Sequence, residues 1–348
     1  MLKRALTIIP LIGLLVFGCS THKQEVQKAY TELGDLDILP KLNLLDFDLK
    51  GDVRSTSEYE YEATLRFGEY EKKEPCLSII EHLFNAQGMI YEENTYVSNY
   101  SSDNSMILLK KSKYQYNADD LLEKIDIYGK SGELVEREVY IYDPNNNCIE
   151  KAQGKGDGSW FELRRMGHDR KGRIITYDHD YLDLDEGYSI KFYYDKRGRL
   201  FESTDKDSTE LTSYKYDKRN NVIEVINYNS NGWIWDKIFY RYKGKREIEM
   251  IEFDPIDLSI TSTRYEKSAK IVTFFEKGDV SEDCIKYIYN NKNELIEEKY
   301  DDGGYQIFKY DNKSNWNFNL LVTKVYNSEI EIIDTQALIK VREITYWN

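Results

Sequence analysis

The densest group of side chains that could hold a metal lies between residues 178 and 186. It consists of Asp178, His179, Asp180, Asp183, Asp185 and Glu186. Calcium takes several oxygen ligands, so a calcium loop is one interpretation. The order of acids and glycine is not that of an EF-hand, and Leu182 and Leu184 alternate with the acids as in a half-buried strand. We therefore favour a solvated hairpin without a bound metal.

The sequence gives little indication of a catalytic site. With 62 acidic residues, paired carboxylates are common and single out no glycosidase pair. The sequence contains no phosphate-binding loop, nucleophile elbow, zinc spacing or dinucleotide fingerprint. His168 stands where related segments carry tyrosine, which predicts a core histidine rather than a ligand. We predict a protein that is not an enzyme and uses no metal or cofactor, with an unrecognised hydrolase as the remote alternative.

Aromatic residues give the better functional hypothesis. The chain has 30 Tyr, 13 Phe and 5 Trp residues. Trp233 and Trp235 are predicted to share one face of a strand with Phe239 farther along it, while Tyr193 points away from its neighbours Phe192 and Tyr194. Aromatic side chains on a solvent-facing surface could stack on sugar rings or receive a protein. The alternative is that all of them pack between strands.

The N-terminal residues predict that the protein is exported and where in the cell it is located. Lys3 and Arg4 precede an apolar stretch too short for a stable membrane span, as in a secretory signal peptide. The residues around Cys19, Leu-Val-Phe-Gly-Cys, resemble the lipobox of bacterial lipoproteins, in which the cysteine is acylated. Ser20 follows Cys19, and by resemblance to lipoprotein sorting this favours the outer membrane. We expect a signal peptide at 1–18 and a lipidated tether at 19–51.

The net charge of the chain excludes one class of binding partner. Without the signal peptide, 46 basic side chains face 62 acidic ones, a formal charge of −16. Such a chain lacks the basic surface that phosphate backbones require, so no nucleic-acid partner is expected.

Three cysteines remain after acylation: Cys76, Cys148 and Cys284. Because there are three, they can form at most one disulfide, and we favour three buried thiols.

Internal repetition predicts the architecture. In residues 213–225, Tyr214 and Tyr216 share one strand face, residues 217–221 supply turn chemistry, and an apolar returning strand follows, which together make a β-hairpin. The second aromatic position recurs at 116, 142, 168, 194, 216 and 242, in steps of 26, 26, 26, 22 and 26. We predict an all-β, repetitive antiparallel hairpin meander over 52–348, forming an extended twisted sheet or a partial shell.

The repeat resembles the YD (RHS-type) repeat, whose members carry Tyr-x-Tyr-Asp followed by Gly-Asn and an apolar tail. The resemblance runs from about Phe84 to Trp316 and is closest to short arrays in lipoproteins of Bacteroidetes-type bacteria. Those arrays commonly end with an Asn-Trp unit and an Arg-Glu-Ile-x-Tyr strand, here Asn315-Trp316 and residues 342–346. The Gly-Asn pair is mostly replaced, which weakens kinship to long toxin-delivery arrays. Charged residues near the C-terminus are expected to protect an open sheet edge.

We therefore expect a non-catalytic repeat protein, held to the outer membrane by lipid and binding a protein or glycan through Trp233, Trp235, Phe239 or Tyr193. A structural envelope spacer is the main alternative.

Overall fold

The computed structural model describes residues 42–99, 105–205, 211–244, 246–254, 259–266, 269–276, 279–300, 302–326 and 332–347. For residues 274–276, 279–284, 325–326 and 332–334 it describes the backbone alone. Cys19, the signal peptide expected at 1–18 and most of the tether expected at 19–51 lie outside these residues.

Antiparallel strands make up the described part of the chain. In it, 22 strands follow one another: β1 (Val53–Arg66), β2 (Glu69–Phe84), β3 (Ile90–Ser98), β4 (Met106–Tyr116), β5 (Leu122–Gly129), β6 (Leu134–Tyr142), β7 (Cys148–Lys155), β8 (Trp160–His168), β9 (Ile174–Tyr181), β10 (Glu186–Tyr194), β11 (Leu200–Asp205), β12 (Leu211–Tyr216), β13 (Val222–Tyr228), β14 (Ile234–Lys243), β15 (Arg246–Asp254), β16 (Ser259–Tyr265), β17 (Ala269–Glu276), β18 (Asp279–Tyr289), β19 (Leu295–Tyr300), β20 (Tyr305–Tyr310), β21 (Trp316–Tyr326) and β22 (Ile332–Tyr346). The predicted all-β meander is confirmed.

The sheet closes on itself. Each strand pairs with the next, and β1 also pairs with β22, with Ser57 opposite Glu343 and Tyr59 opposite Val341. The expectation of an open sheet or partial shell was wrong, because the molecule is a closed 22-stranded barrel. β-Bulges in most of the hairpins bend the wall, and closure leaves no unpaired edge.

Closure also changes the role expected for the charged residues near the C-terminus. Arg342 lies 3.1 Å from Glu58, and Lys340 lies 3.0 Å from Glu60, so both side chains pair across the β22–β1 seam. They join two strands rather than guard a free edge.

Aspartate or asparagine begins the hairpin turns at one end of the barrel. Oδ1 of Asp143 accepts hydrogen bonds from the backbone N–H groups of Asn145 at 2.8 Å and Asn147 at 2.9 Å. The fourth turn residue, Asn146, has φ 65°, a conformation that asparagine tolerates. The same pair of bonds occurs at Asn85, Asn117, Asp169, Asp195, Asp217, Asn290 and Asp311.

The tyrosine before these turns ties a strand to its neighbour. The hydroxyl of Tyr142, at the end of β6, donates to the carbonyl of Leu122, the first residue of β5, at 2.7 Å. The hydroxyl of Tyr194 donates in the same way to Ile174 at 2.8 Å. Tyr116, Tyr216 and Tyr310 repeat the contact. A tyrosine-aspartate pair thus fixes both the turn and the adjacent strand.

The two faces of the wall differ in burial. Tyr140 is 3% exposed and its chain neighbour Ile141 is 45% exposed; Phe192 and Tyr193 differ likewise, at 6% and 41%. Because the concave side of a closed barrel is the shielded one, the first member of each pair marks the inner face. The main apolar cluster lies on this face, along β5–β11.

Residues 42–51, the last part of the expected tether, lie along the barrel end that carries the Asp and Asn turns. The N–H of Leu44 donates to the carbonyl of Gly88, and Asn315 exchanges two hydrogen bonds with Lys50. Leu49 is buried with Val53, Phe84 and Ile90. We name this end of the barrel the tether rim, and the opposite end, which carries the β1–β2, β5–β6, β7–β8, β9–β10 and β13–β14 turns, the free rim.

Among the described residues, no helix is long and apolar enough to cross a membrane.

Candidate functional site

Exposed large apolar side chains concentrate at the free rim. They come from turns far apart in sequence that antiparallel pairing brings to one end of the barrel. The group consists of Leu65, Phe67, Trp160, Leu182, Leu184, Trp233, Ile234 and Trp235. The β1–β2 and β13–β14 turns stand on different parts of this rim, so the group surrounds the barrel end and is not a single patch. We treat these residues as the candidate site and name them the rim cluster.

The two tryptophans predicted from sequence belong to this cluster. Trp233 closes the β13–β14 turn and is 74% exposed, while Trp235 is 54% exposed. The register between β13 and β14 shifts here, because Tyr228 pairs with Ile234 but Asn227 pairs with Asp236. Trp235 is the extra residue of this bulge, and it interrupts the alternation of faces along β14.

Phe239 and Tyr193 lie elsewhere. Phe239 lies farther along β14, on the outer face with Lys237, whose ammonium is 4.6 Å from its ring. Tyr193 lies on the outer face near the tether rim and packs against Phe201, with 6.5 Å between ring centroids. Both are exposed. The four sequence-predicted residues are thus accessible, but only Trp233 and Trp235 lie together.

Phe67 is the member that sequence reasoning missed. It lies at the tip of the β1–β2 hairpin with φ 50°, and Gly68 follows with φ 89°. A bulky side chain rarely adopts positive φ, and this phenylalanine is also fully exposed. The available signal was the Phe67-Gly68 dipeptide, since a hairpin turn with two positive φ values normally takes Asn-Gly.

The acidic segment at 178–186 does not converge on one point. Asp180 lies 3.0 Å from Arg165 in an ion pair, whereas His179 is buried and contacts Tyr188 at 3.1 Å and Glu162 at 3.1 Å. Alternation along β9 therefore sends Asp178 and Asp180 to one face and His179 to the other. Asp183 and Asp185 stay in the β9–β10 turn. In the described ranges, no group of three or more His, Cys, Asp or Glu side chains is arranged to hold a metal.

An inner-face cleft of about 290 Å³ lies where β20, β21, β22 and β1 meet. Glu58, Gln306, Phe308, Trp316, Asn319, Leu321, Leu338 and Lys340 line it. Its one carboxylate, Glu58, is paired with Arg342 at 3.1 Å and with Lys340 at 3.6 Å.

Other titratable groups on the inner face are shifted by burial. Burial, together with Asp236 and Asp254, raises the pKa of Glu252, and burial also raises the pKa of Glu298. Burial lowers the pKa of His168, whose two ring nitrogens have no hydrogen-bond partner among the described residues. His168 ends β8 and pairs with Ile174, as Tyr142 pairs with Cys148, so it occupies the repeat's tyrosine position.

The cysteines lie apart. Cys148 is buried on the inner face, and burial raises the pKa of its thiol to about 12. Cys76 is half-buried on β2, and its thiol donates to the carbonyls of Ser78 and Glu60. The two are not bonded to each other, and the side chain of Cys284 lies outside the described part of the chain.

No protein-family model matches the chain, and no curated protein matches it. Among solved structures, it is similar to the TcdB2-TccC3-TEV complex at 10% identity and a TM-score of 0.32, over 79% of this chain and 19% of that one. It is also similar to a porin-like protein from Bacteroides uniformis ATCC 8492 at 8% identity and a TM-score of 0.31, over 85% of this chain and 98% of that one. The chain thus spans about a fifth of the TcdB2-TccC3-TEV chain. Likenesses this distant assign no family.

Proposed function

We propose that this protein is a non-catalytic lipoprotein of the outer membrane whose free rim docks a partner protein at the cell envelope. The observation that carries the proposal is the rim cluster, in which Phe67, Trp233 and Trp235 are exposed at one end of the barrel. Tryptophan and phenylalanine are enriched in protein interfaces, where they supply large contact areas at a low entropic cost.

The backbone conformation of Phe67 supports a functional role for this residue. The left-handed region costs an L-residue about 1–2 kcal/mol, and glycine or asparagine would avoid much of that cost. An exposed phenylalanine at φ 50° therefore destabilises the barrel without burying its ring. Backbone strain of this kind is typical of functional positions.

The charges near the rim cluster indicate the partner's chemistry. Asp157, Asp183 and Asp185 lie in the turns of the free rim. Carboxylates next to exposed apolar side chains, as at Leu182 and Leu184, are complementary to a partner surface that carries basic and apolar residues side by side.

The outer wall carries ion pairs, for example Arg137 with Asp126 at 2.6 Å and Arg241 with Glu249 at 3.0 Å, as well as exposed apolar side chains such as Ile141 and Phe201. We assign membrane attachment to the acyl chains on Cys19. Because residues 42–51 lie on the tether rim, the lipid would leave the opposite end free to receive a partner.

Site-specific photo-crosslinking in cells tests the docking. A photoreactive phenylalanine analogue replaces Phe67 or Trp233, and in the matched control it replaces Leu45, which is exposed on the tether rim. The proposal predicts one shared protein adduct from Phe67 and Trp233 that is absent from Leu45. Adducts with polysaccharide alone would indicate a glycan ligand, and no adduct from either rim position would favour the spacer function. Both of these results contradict docking of a protein.

A second variant separates docking from folding. Phe67→Asn is expected to raise the urea midpoint, because asparagine tolerates positive φ, and to weaken the adduct from Trp233 at least fivefold, or about 1 kcal/mol. An unchanged adduct yield would remove Phe67 from the interface. Cys19→Ala should release the protein from the membrane fraction, and a membrane-bound variant would refute the lipid anchor.

A further inference from the structure

The inner-face cleft between β20 and β1 includes a repeat position whose residue type varies along the chain. The fourth residue of a returning strand faces the interior, as Ile125 does in β5 and Tyr177 in β9, both of which are buried. Asn319 has the corresponding place relative to Trp316, the first residue of β21. Its amide lines the cleft.

The floor of the cleft also changes. The first residue of the returning strand is a buried aliphatic side chain at Leu122, Ile174 and Leu200, whereas Trp316 takes this position in β21. Trp316 and Phe308 supply aromatic surface to the cleft. The Arg342 guanidinium lies 3.7 Å from the centroid of the Trp316 ring and fixes it in place.

The polar groups of the cleft are fixed and nearly neutral in sum. Glu58 and Glu60 are offset by Lys340 and Arg342, so an ionic ligand has no unmatched charge to meet. Asn319 is 4% exposed; its Oδ1 accepts from Gln306 at 3.0 Å, and its Nδ2 has no hydrogen-bond partner among the described residues. A buried amide donor without a partner is costly, which favours a ligand that supplies an acceptor oxygen.

We propose that this cleft binds a neutral saccharide unit. Sugar rings present C–H faces that pack on aromatic side chains, and their hydroxyl groups can both donate to Glu58 and accept from Gln306, Asn319 and Lys340. A cleft of about 290 Å³ is at the small end of ligand pockets, which suits one or two sugar rings. This site is separate from the rim cluster and does not depend on it.

The ligand reaches the cleft through the interior of the barrel. Tyr188, on the inner face, is 46% exposed although its hydroxyl contacts His179. Tyr188 lies near the free rim, at the start of β10. The lumen is therefore open enough at this end to admit solvent.

Isothermal titration of the whole mature protein with cellobiose, maltose and N,N′-diacetylchitobiose tests the proposal. At least one probe should bind with a Kd of about 1 mM or tighter. Asn319→Ile, which restores the residue type found at Ile125, should weaken that binding at least tenfold while retaining the circular dichroism spectrum. If none of the three probes binds, the proposal is overturned.

Two further variants keep the test decisive. Gln306→Ala leaves Asn319 in place and removes one polar contact, so it should weaken binding about threefold to tenfold even if Asn319→Ile fails to fold. The double variant Trp233→Ala/Trp235→Ala should bind the sugar normally. Loss of binding in that double variant, with no effect of Gln306→Ala, would place the sugar at the free rim and refute the inner site. If the photo-crosslinking experiment yields no protein adduct, the proposed function fails, but the sugar titration still tests the inner cleft.

Discussion

At the scale of single residues, the tyrosine-aspartate pair explains why the repeat needs both residue types. The aspartate satisfies two backbone N–H groups of its turn, and the tyrosine hydroxyl satisfies a carbonyl on the neighbouring strand. The sequence predicted the turn, because Asp and Asn are common turn residues. It did not predict the hydroxyl contact, because the acceptor carbonyl is defined only once adjacent strands are in register.

Tyr194 and Tyr193 test the tyrosine contact as a matched pair. Tyr194→Phe removes the hydrogen bond to the Ile174 carbonyl and should lower the free energy of unfolding by about 1 kcal/mol. Tyr193→Phe removes a hydroxyl from the exposed outer face and should change it by less than about 0.5 kcal/mol. Urea unfolding measures both, and equal effects would show that the hydroxyl contact contributes nothing.

His168 makes stability depend on pH. Burial lowers the pKa of His168 in the folded state, so the unfolded chain binds the proton first, near the ordinary histidine pKa of about 6.5. Stability is therefore full above that pH and falls as the pH drops below it. The lowered pKa of His179 contributes in the same direction.

His168→Tyr should remove part of this pH dependence. The new hydroxyl should reach the Cys148 carbonyl, as Tyr142 reaches Leu122, and raise the free energy of unfolding by about 1 kcal/mol at neutral pH. The fall between about pH 7 and pH 5.5 should become smaller, which urea midpoints at both values would show. A variant less stable than the parent at neutral pH would contradict the assigned repeat position.

At the scale of elements, each hairpin was predictable and its bulges were not. Alternating aromatic residues and turn residues place the strands, because period-two patterning follows directly from strand geometry. A bulge adds one residue to a strand, and this changes the face on which the following side chains lie. No single residue type predicts where a bulge occurs. The irregularity between Ile234 and Asp236, at the start of β14, is an example that turn residues alone did not indicate.

The segment at 42–51 acts as an element of the barrel end, although it is not a strand. Leu49 is 2% exposed and packs with Val53, Phe84 and Ile90. Leu49→Ala should lower the free energy of unfolding by about 2–4 kcal/mol, because it leaves a cavity. Leu45→Ala, at a position that is 60% exposed, should have almost no effect. Thermal unfolding distinguishes the two, and a harmless Leu49→Ala would show that the segment does not pack in solution.

At the scale of the whole molecule, closure of the barrel could not be predicted from the sequence. Hairpins are local, so spacing and turn residues predict them, whereas the β1–β22 pairing joins residues at opposite ends of the array, such as Ser57 and Glu343. Closure depends on the summed curvature of all the hairpins. The distinction between an exposed free rim and a shielded inner face, on which both proposed sites rest, follows from it.

Closure can be measured directly with an engineered disulfide across the seam. In a background with the native cysteines replaced, Ser57→Cys/Glu343→Cys places two thiols on directly paired residues, whose Cβ atoms are about 4.5–5.5 Å apart in such pairs. Ser57→Cys/Lys309→Cys, with the second thiol on β20, is the control. A closed barrel predicts rapid intramolecular oxidation of the first pair only, seen as a mobility shift on a non-reducing gel and a monomeric mass. Failure of the first pair to oxidise, or only intermolecular dimers, would show that the sheet is open and contradict the account.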